Sequence, residues 1–342
     1  MGAATEDDRV RVALIGSGRM GAFHGATLAA RLPNARLVTV VDPAPGAAER
    51  LAREFGVDSS TDMAAVLADD GVDAVVIAAP ARFHTELVVA AAAAGKAVFC
   101  EKPMAVSLAD ADRAIAAAHA AGVPLQVGFN RRFAPDWAAA RALLDDGTVG
   151  TPRLLRSVTR DPGGFDPGRV PADTIFLETL IHDFDTLLFL NPGVEPVEVH
   201  ATADALVEPD WKDRGLLDTA VVTVTFANGS IGVAEACFQA TYGYDVRGEV
   251  FGSGGMATMG DGRTSGMTFS GPAGRVTTTV RSDQELLAGA YVAELAAFAE
   301  AVRRGTEAVV TGVDARRALS IALAAAESVR TGRSVRIADP TP

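Results

Sequence analysis

Glu178, His182 and Asp185 fall at i, i+4 and i+7 within residues 175–190, a run in which ten of sixteen residues are large and apolar. Wound as an α-helix, the three share a stripe about 60° wide. A helix apolar nearly all round is buried, so a polar stripe on it faces either a cavity or solvent. Solvent stripes more often carry Lys, Arg and Gln. A carboxylate, an imidazole and a second carboxylate instead suit proton transfer. Imidazole titrates near neutrality, which makes His182 the candidate general base. Glu178 would stabilise the charged ring or bind a substrate hydroxyl, with Asp185 taking the other task.

Lys102 is the second candidate. The chain has only three lysines, Lys96, Lys102 and Lys212. Lys102 sits in Glu101-Lys102-Pro103, directly after a strand pattern at 97–100. The carboxyl end of a parallel strand is where open α/β sheets gather their ligands. Pro103 biases Lys102 to extended geometry and admits a cis bond. A cation fixed there can stabilise charge developing on a substrate oxygen. The alternative is an ordinary surface lysine at a strand end.

The third feature is Gly16-Ser17-Gly18-Arg19-Met20-Gly21. It follows a strand pattern at 9–15 and precedes a helix pattern reaching about residue 31. In such a turn the first glycine allows the bend, the second admits a pyrophosphate, and the third lets helix pack on strand. Backbone N–H groups at the helix start then meet the phosphates. The next strand ends in Asp42, 21 residues beyond Gly21. A carboxylate there accepts from ribose hydroxyls and repels a 2′-phosphate, so the pattern predicts NAD rather than NADP. The alternative is a glycine turn that holds no cofactor.

The elements that must position these residues follow from periodicity. Strands are expected at 9–15, 37–41, 72–79, 97–100 and 125–129, alternating with helices at 84–94 and 108–121. Ser107 and Asp110 form a capping box for the second of these helices. Alternating strands and helices imply a parallel sheet covered on both faces. Beyond about residue 133 the pattern changes. Strands at 219–226 and 230–238 flank Asn228-Gly229, the strongest short hairpin signal. Further strands are expected at 244–251, 266–270 and 276–280, forming an antiparallel sheet. Helices follow at about 283–304 and 314–331.

Composition narrows the classes. The length of 342 residues suits two domains and a sizeable core. With 31 basic and 43 acidic residues the net charge is −12, which disfavours nucleic acid and anionic membranes. No apolar run approaches the ~20 residues of a membrane span. Glu6, Asp7 and Asp8 oppose a cationic signal peptide. Cys100 and Cys237 give no disulfide framework. A cytoplasmic protein is expected, with no metal.

The glycine turn, Glu-Lys-Pro and Thr179-Leu180-Ile181-His182-Asp183-Phe184-Asp185 occur in that order. Together they resemble the Gfo/Idh/MocA oxidoreductase family across the whole chain. Similarity to its inositol 2-dehydrogenase subgroup extends to residues 126–133, to Arg160-Asp161-Pro162, and to residues 242–247. The resemblance implies an α/β chain: an N-terminal Rossmann domain, doubly wound on a parallel sheet (residues 1–133), and a C-terminal α/β domain on a large open, mostly antiparallel sheet (residues 134–342). It implies a homo-oligomer, dimer or tetramer, built through that sheet. It also implies hydride transfer between a cyclitol or sugar carbon and NAD. Lys102, Glu178 and His182 are the catalytic positions carried over. The expected cofactor contacts are Gly16, Gly18, Arg19, Met20, Gly21, Asp42, Ala79, His84, Glu101 and Lys102. The expected substrate contacts are Asn130, Arg131, Arg160, Asp161, Glu178, His182, Asp185 and Tyr242. His24 reads as a marginal contact of the glycine turn, and His119 and His200 as surface or structural residues.

The chain departs from the subgroup at Glu178, where Asp is usual, and at Asn130, where Met is frequent. The extra methylene reaches roughly 1.5 Å further. These changes leave open a sugar or anhydrosugar dehydrogenase or ketoreductase of the same family. A non-catalytic NAD-binding regulator, or a non-redox enzyme holding NAD, are the more distant alternatives.

Overall fold

β-branched, apolar runs build the first of two compact units, Met1–Asn130 with Gly289–Arg316. The computed structural model describes residues 8–164, 166, 168, 170–263, 267–272 and 274–337. β1 (Val10–Ile15), β2 (Ala35–Val41), β3 (Asp58–Ser60), β4 (Ala74–Ile77), β5 (Ala97–Cys100) and β6 (Leu125–Val127) form one sheet in the order β3-β2-β1-β4-β5-β6. All five pairings are parallel. This is the dinucleotide-fold order, in which the strand order reverses between β1 and β4. Every residue of β4 and β5 is buried, as a sheet covered on both faces requires.

The connecting helices are α1 (Arg19–Ala30), α2 (Ala47–Phe55), α3 (Met63–Leu67), α4 (His84–Ala93) and α5 (Leu108–Ala121). Ser107 caps α5 by accepting from the Asp110 N–H at 3.2 Å, as the capping box predicts. Neither α2, β3 nor α3 stood out in the sequence, because all three are short. A late segment completes this unit. Phe298 of α9 (Ala288–Arg304) packs edge-on against Phe99 of β5, with centroids 5.9 Å apart. The sequence placed the domain change near residue 133; the compact units meet at Asn130 and Arg131, and the first takes back residues 289–316.

The second unit is Arg131–Ala288 with Arg317–Pro342. It holds α6 (Pro135–Asp145), β7 (Pro152–Arg160), α7 (Leu180–Phe189), β8 (Pro196–Asp204), β9 (Thr219–Phe226), β10 (Ile231–Cys237), β11 (Asp245–Gly252), β12 (Met256–Met259), β13 (Thr268–Gly271), β14 (Gly274–Thr277), α8 (Asp283–Leu286), the part of α10 (Gly312–Thr331) from Arg317 onward, and β15 (Val335–Arg336). Its seven-stranded sheet runs β12-β11-β7-β10-β9-β8-β15. Five pairings are antiparallel; β7 and β10 pair in parallel. β9 alternates buried and exposed residues, and α7 lies against β7 and β10 on the covered face. The hairpin predicted at Asn228-Gly229 joins β9 to β10, with Gly229 at φ 82°. Gly266, the first residue of one expected strand, lies outside the described residues. Among the described residues, no helix is long and apolar enough to cross a membrane.

Candidate active site

In the first unit the expected cofactor residues, with Asn130 of the expected substrate contacts, gather at the carboxyl ends of adjacent parallel strands. The glycine turn follows β1, Ala79 follows β4, Glu101 follows β5 and Asn130 follows β6. The three glycines do different work. Gly16 has φ +99°, and a Cβ there would meet the Ala78 carbonyl oxygen at 2.7 Å. At Gly21 a Cβ would lie 2.0 Å from the Gly16 carbonyl oxygen, so only glycine lets α1 start that close to β1. At Gly18 a Cβ would meet nothing within 4 Å. Space over the second glycine, and a helix start that no side chain caps, fit a pyrophosphate.

Asp42 ends β2 beside this turn. One carboxylate oxygen accepts from the Ser17 N–H at 2.9 Å and the Ser17 hydroxyl at 2.7 Å, and the other accepts from the Ala44 N–H at 2.9 Å. A carboxylate offers about four acceptor positions, so room for a ribose hydroxyl remains. Partial burial works to raise its pKa, but the Ser17 and Ala44 donors and the Arg50 charge prevail and hold it below the ordinary value. An ionised Asp42 fits NAD and opposes a 2′-phosphate.

The Lys102–Pro103 peptide is cis. Behind it lies a cluster that sequence spacing could not show. His24 is fully buried and places Nε2 2.6 Å from a Glu101 carboxylate oxygen. The other Glu101 oxygen accepts from the Lys102 N–H at 3.1 Å. Glu294 of α9 completes the set: His24, Glu101 and Glu294 each place one polar atom within 4.8 Å of the others. Burial pushes Glu101 upward, yet His24, Lys102 and His84 bring its pKa below the ordinary value. Burial, reinforced by the Glu101 charge, pushes Glu294 far upward, so it is held as the neutral acid. The one sequence sign of Glu294 was an acid on a helix face otherwise made of Ala290, Tyr291, Leu295 and Phe298.

Asn130 is 2% exposed, and its side-chain oxygen has no hydrogen-bond partner. It is an open acceptor at the end of β6.

In the second unit the expected stripe is corrected. Residues Ile175–Thr179 form a π-turn, in which the Leu180 N–H bonds the Ile175 carbonyl, before α7 begins. The wider turn breaks the 100° spacing on which the stripe depended. Asp173, just before it, adopts φ 60°. Glu178, Thr179 and His182 are half-buried, whereas Asp183, Phe184 and Asp185 are fully buried. Asp185 keeps its place three residues beyond His182 within α7 but is buried where His182 is not. Its two oxygens take the Arg132 guanidinium at 2.6–3.1 Å. Arg131 is likewise committed to the fold. It is 3% exposed and bonds Asp183 at 2.7 Å and Thr159 at 2.5 Å, while the Ser157 and Thr159 hydroxyls also donate to Asp183. A fully paired buried network of this kind orders a core rather than binding a ligand. Arg131 and Asp185, both expected as substrate contacts, each hold a buried ion pair, with Asp183 and Arg132 respectively.

Arg160 bonds Glu235 at 3.1 Å and Asp245 at 3.4 Å, and the Tyr242 hydroxyl donates to Asp245 at 2.5 Å. Tyr242 is 53% exposed. Burial and Asp245 raise its pKa, so it stays a donor. Asp161 is 8% exposed and accepts from Tyr244, whose pKa burial and Asp161 raise well above the ordinary value. These residues form one group at the joined ends of β7, β10 and β11.

Residues 10–129 match the model of an oxidoreductase family with an NAD-binding Rossmann fold, GFO/IDH/MocA, and residues 137–258 match the C-terminal domain of the same family. The scyllo-inositol 2-dehydrogenase (NAD(+)) of Bacillus subtilis strain 168 is 36% identical over 97% of both chains. The myo-inositol 2-dehydrogenase of Thermotoga maritima is 36% identical over 96% of this chain and 98% of its own. Among solved structures, scyllo-inositol dehydrogenase from Lactobacillus casei, with bound NAD(H) and scyllo-inositol, superposes with a TM-score of 0.91. It is 25% identical over 96% of this chain and 99% of its own.

Proposed function

Because the chain belongs to the GFO/IDH/MocA oxidoreductase family, we propose that it is an NAD-dependent dehydrogenase that oxidises a secondary alcohol of a cyclitol of the inositol type. Full-length likeness to two enzymes named for inositol carries the substrate class. The chain's own residues supply the chemistry.

The turn at Gly16, Gly18 and Gly21, with the Arg19 and Met20 backbone, would hold the pyrophosphate, and Asp42 the ribose. Bound NAD supplies the hydride acceptor. The chain must then manage the hydroxyl proton and the charge it leaves on oxygen. His182 takes the proton from the alcohol oxygen as general base. The Lys102 ammonium stabilises the negative charge developing on that oxygen. Glu178 binds a neighbouring hydroxyl or steadies the His182 cation. Asn130, Asp161, Arg160 and Tyr242 orient the remaining hydroxyls, with the Asn130 oxygen accepting. Run backwards, the same groups reduce a ketone with NADH.

Two variants test these roles. Lys102→Met should lower turnover by about 10²-fold or more, as loss of a charge-stabilising donor does. His182→Ala should lower turnover much more than NAD affinity. Near-normal turnover in either, or loss of NAD binding in His182→Ala, removes that residue from its role.

The protein is also proposed to be a homo-oligomer, dimer or tetramer, closed through the outer face of the second sheet. Met256, Phe251, Leu154 and Ile231 stand in register across β12, β11, β7 and β10, each 41–57% exposed. An apolar row of this kind marks an interaction surface. Ile231→Lys should reduce the sedimentation mass to that of one 35.3 kDa chain; an unchanged mass excludes this face. A cytoplasmic setting goes with a reaction that draws on NAD.

A further inference from the structure

His84 opens α4 and is 1% exposed. Its Nδ1 lies 2.8 Å from the carbonyl oxygen of Pro103, and its Nε2 lies 2.7 Å from the carbonyl oxygen of Ala79. A backbone carbonyl only accepts. Neutral imidazole has one N–H, so one of these two contacts would set a bare nitrogen lone pair against a carbonyl oxygen. In a buried site that opposition goes unscreened. Turning the ring over replaces each nitrogen with a carbon and loses both bonds. Only the imidazolium, donating from both nitrogens, satisfies both carbonyls.

A buried cation needs an anion close by. Glu101 is that anion, as its hydrogen bonds from His24 and the Lys102 N–H require. Glu294, facing Glu101 from α9, is in the acid form and adds no charge. Lys102 is half-buried on the same corner. Glu86, on His84's own helix, is 67% exposed in its side chain and pairs with Arg113 of α5. Glu101 is thus the buried anion close enough to His84 to feel its charge.

We propose that His84 is a buried imidazolium and a positioning residue. Its two N–H groups tie the end of β4, at Ala79, to Pro103, and so fix the peptide that carries Lys102. This replaces the sequence expectation of His84 as a nicotinamide contact, since neither ring nitrogen is left for a ligand. The positioning role rests on the proposed part of Lys102 in catalysis; the charge on His84 does not.

The test joins spectroscopy to kinetics on the full chain. Protein labelled with ¹⁵N in its five histidines is examined by long-range ¹H–¹⁵N correlation at pH 7.5, without NAD. The His84 signals are those lost in His84→Gln. Two protonated nitrogens are expected; one protonated and one bare nitrogen overturns the proposal. Gln offers one donating and one accepting end, as neutral imidazole does. His84→Gln should therefore turn over at least tenfold more slowly, with the NAD dissociation constant within threefold of the parent. Unchanged turnover refutes positioning even if both nitrogens are protonated. If the parent chain oxidises no polyol, the dehydrogenase assignment fails separately. Positioning is then read from the Lys102 backbone amide resonance: a shift in His84→Gln upholds it and an unmoved signal overturns it.

Discussion

His24 Nε2 and a Glu101 carboxylate oxygen lie 2.6 Å apart, with both side chains buried. His24 belongs to the helix that begins at the glycine turn, and Glu101 opens the corner that carries Lys102. One hydrogen bond thus joins the helix that follows the glycine turn to the Lys102 corner inside a single unit.

Replacing His24 with Ala leaves the Glu101 charge buried without its imidazole partner, so a loss of about 3–5 kcal/mol is expected in denaturant unfolding. The sign of the pH effect follows. The folded pKa of Glu101 is lowered, so its contribution is present above the ordinary value of 4.5 and lost as pH falls through the folded value. His24→Ala should flatten that acid limb. A loss below about 1 kcal/mol, with the limb intact, would show that the pair does not hold the corner.

Glu294 has the opposite sign. Its folded pKa is raised, so the stability linked to its proton is full below the ordinary value of 4.5 and is lost as pH rises toward the folded value. Glu294→Gln carries no proton to lose. Its melting temperature should exceed the parent's at pH 8, and the gap should shrink as pH approaches 5. A gap that widens on acidification contradicts a neutral Glu294.

Gly18 and Gly21 separate binding from folding. Gly21→Ala forces a Cβ to 2.0 Å from the Gly16 carbonyl oxygen, whereas Gly18→Ala meets nothing within 4 Å. Gly21→Ala should unfold at a markedly lower temperature. Gly18→Ala should keep its melting temperature and bind NAD at least tenfold more weakly, as seen by calorimetric titration. Equal NAD affinity in Gly18→Ala and the parent would place the pyrophosphate elsewhere.

Much of the first unit was legible because its signals are local. The strand at β1, the glycine turn and Asp42 lie within some thirty residues of one another, and each has a known backbone consequence. The same holds for the Asn228-Gly229 hairpin. Long-range partners were not legible. Nothing about His24 announces Glu101, 77 residues on, and nothing about Glu294 announces either. The π-turn defeated the helical arithmetic at Glu178, because one changed turn rotates everything before it. No local spacing announces the buried partner of Arg131, Asp183, 52 residues on. Charge-bearing residues near a site are divided between chemistry and packing by tertiary contacts alone.

The most direct measurement is NADH formation by the purified protein with NAD and myo-inositol at alkaline pH, where proton release favours oxidation, with scyllo-inositol and glucose run beside it. Steady production of NADH from one or both inositols, exceeding that from glucose, is the expected result. Tight NAD binding with no NADH from either inositol would contradict the assignment.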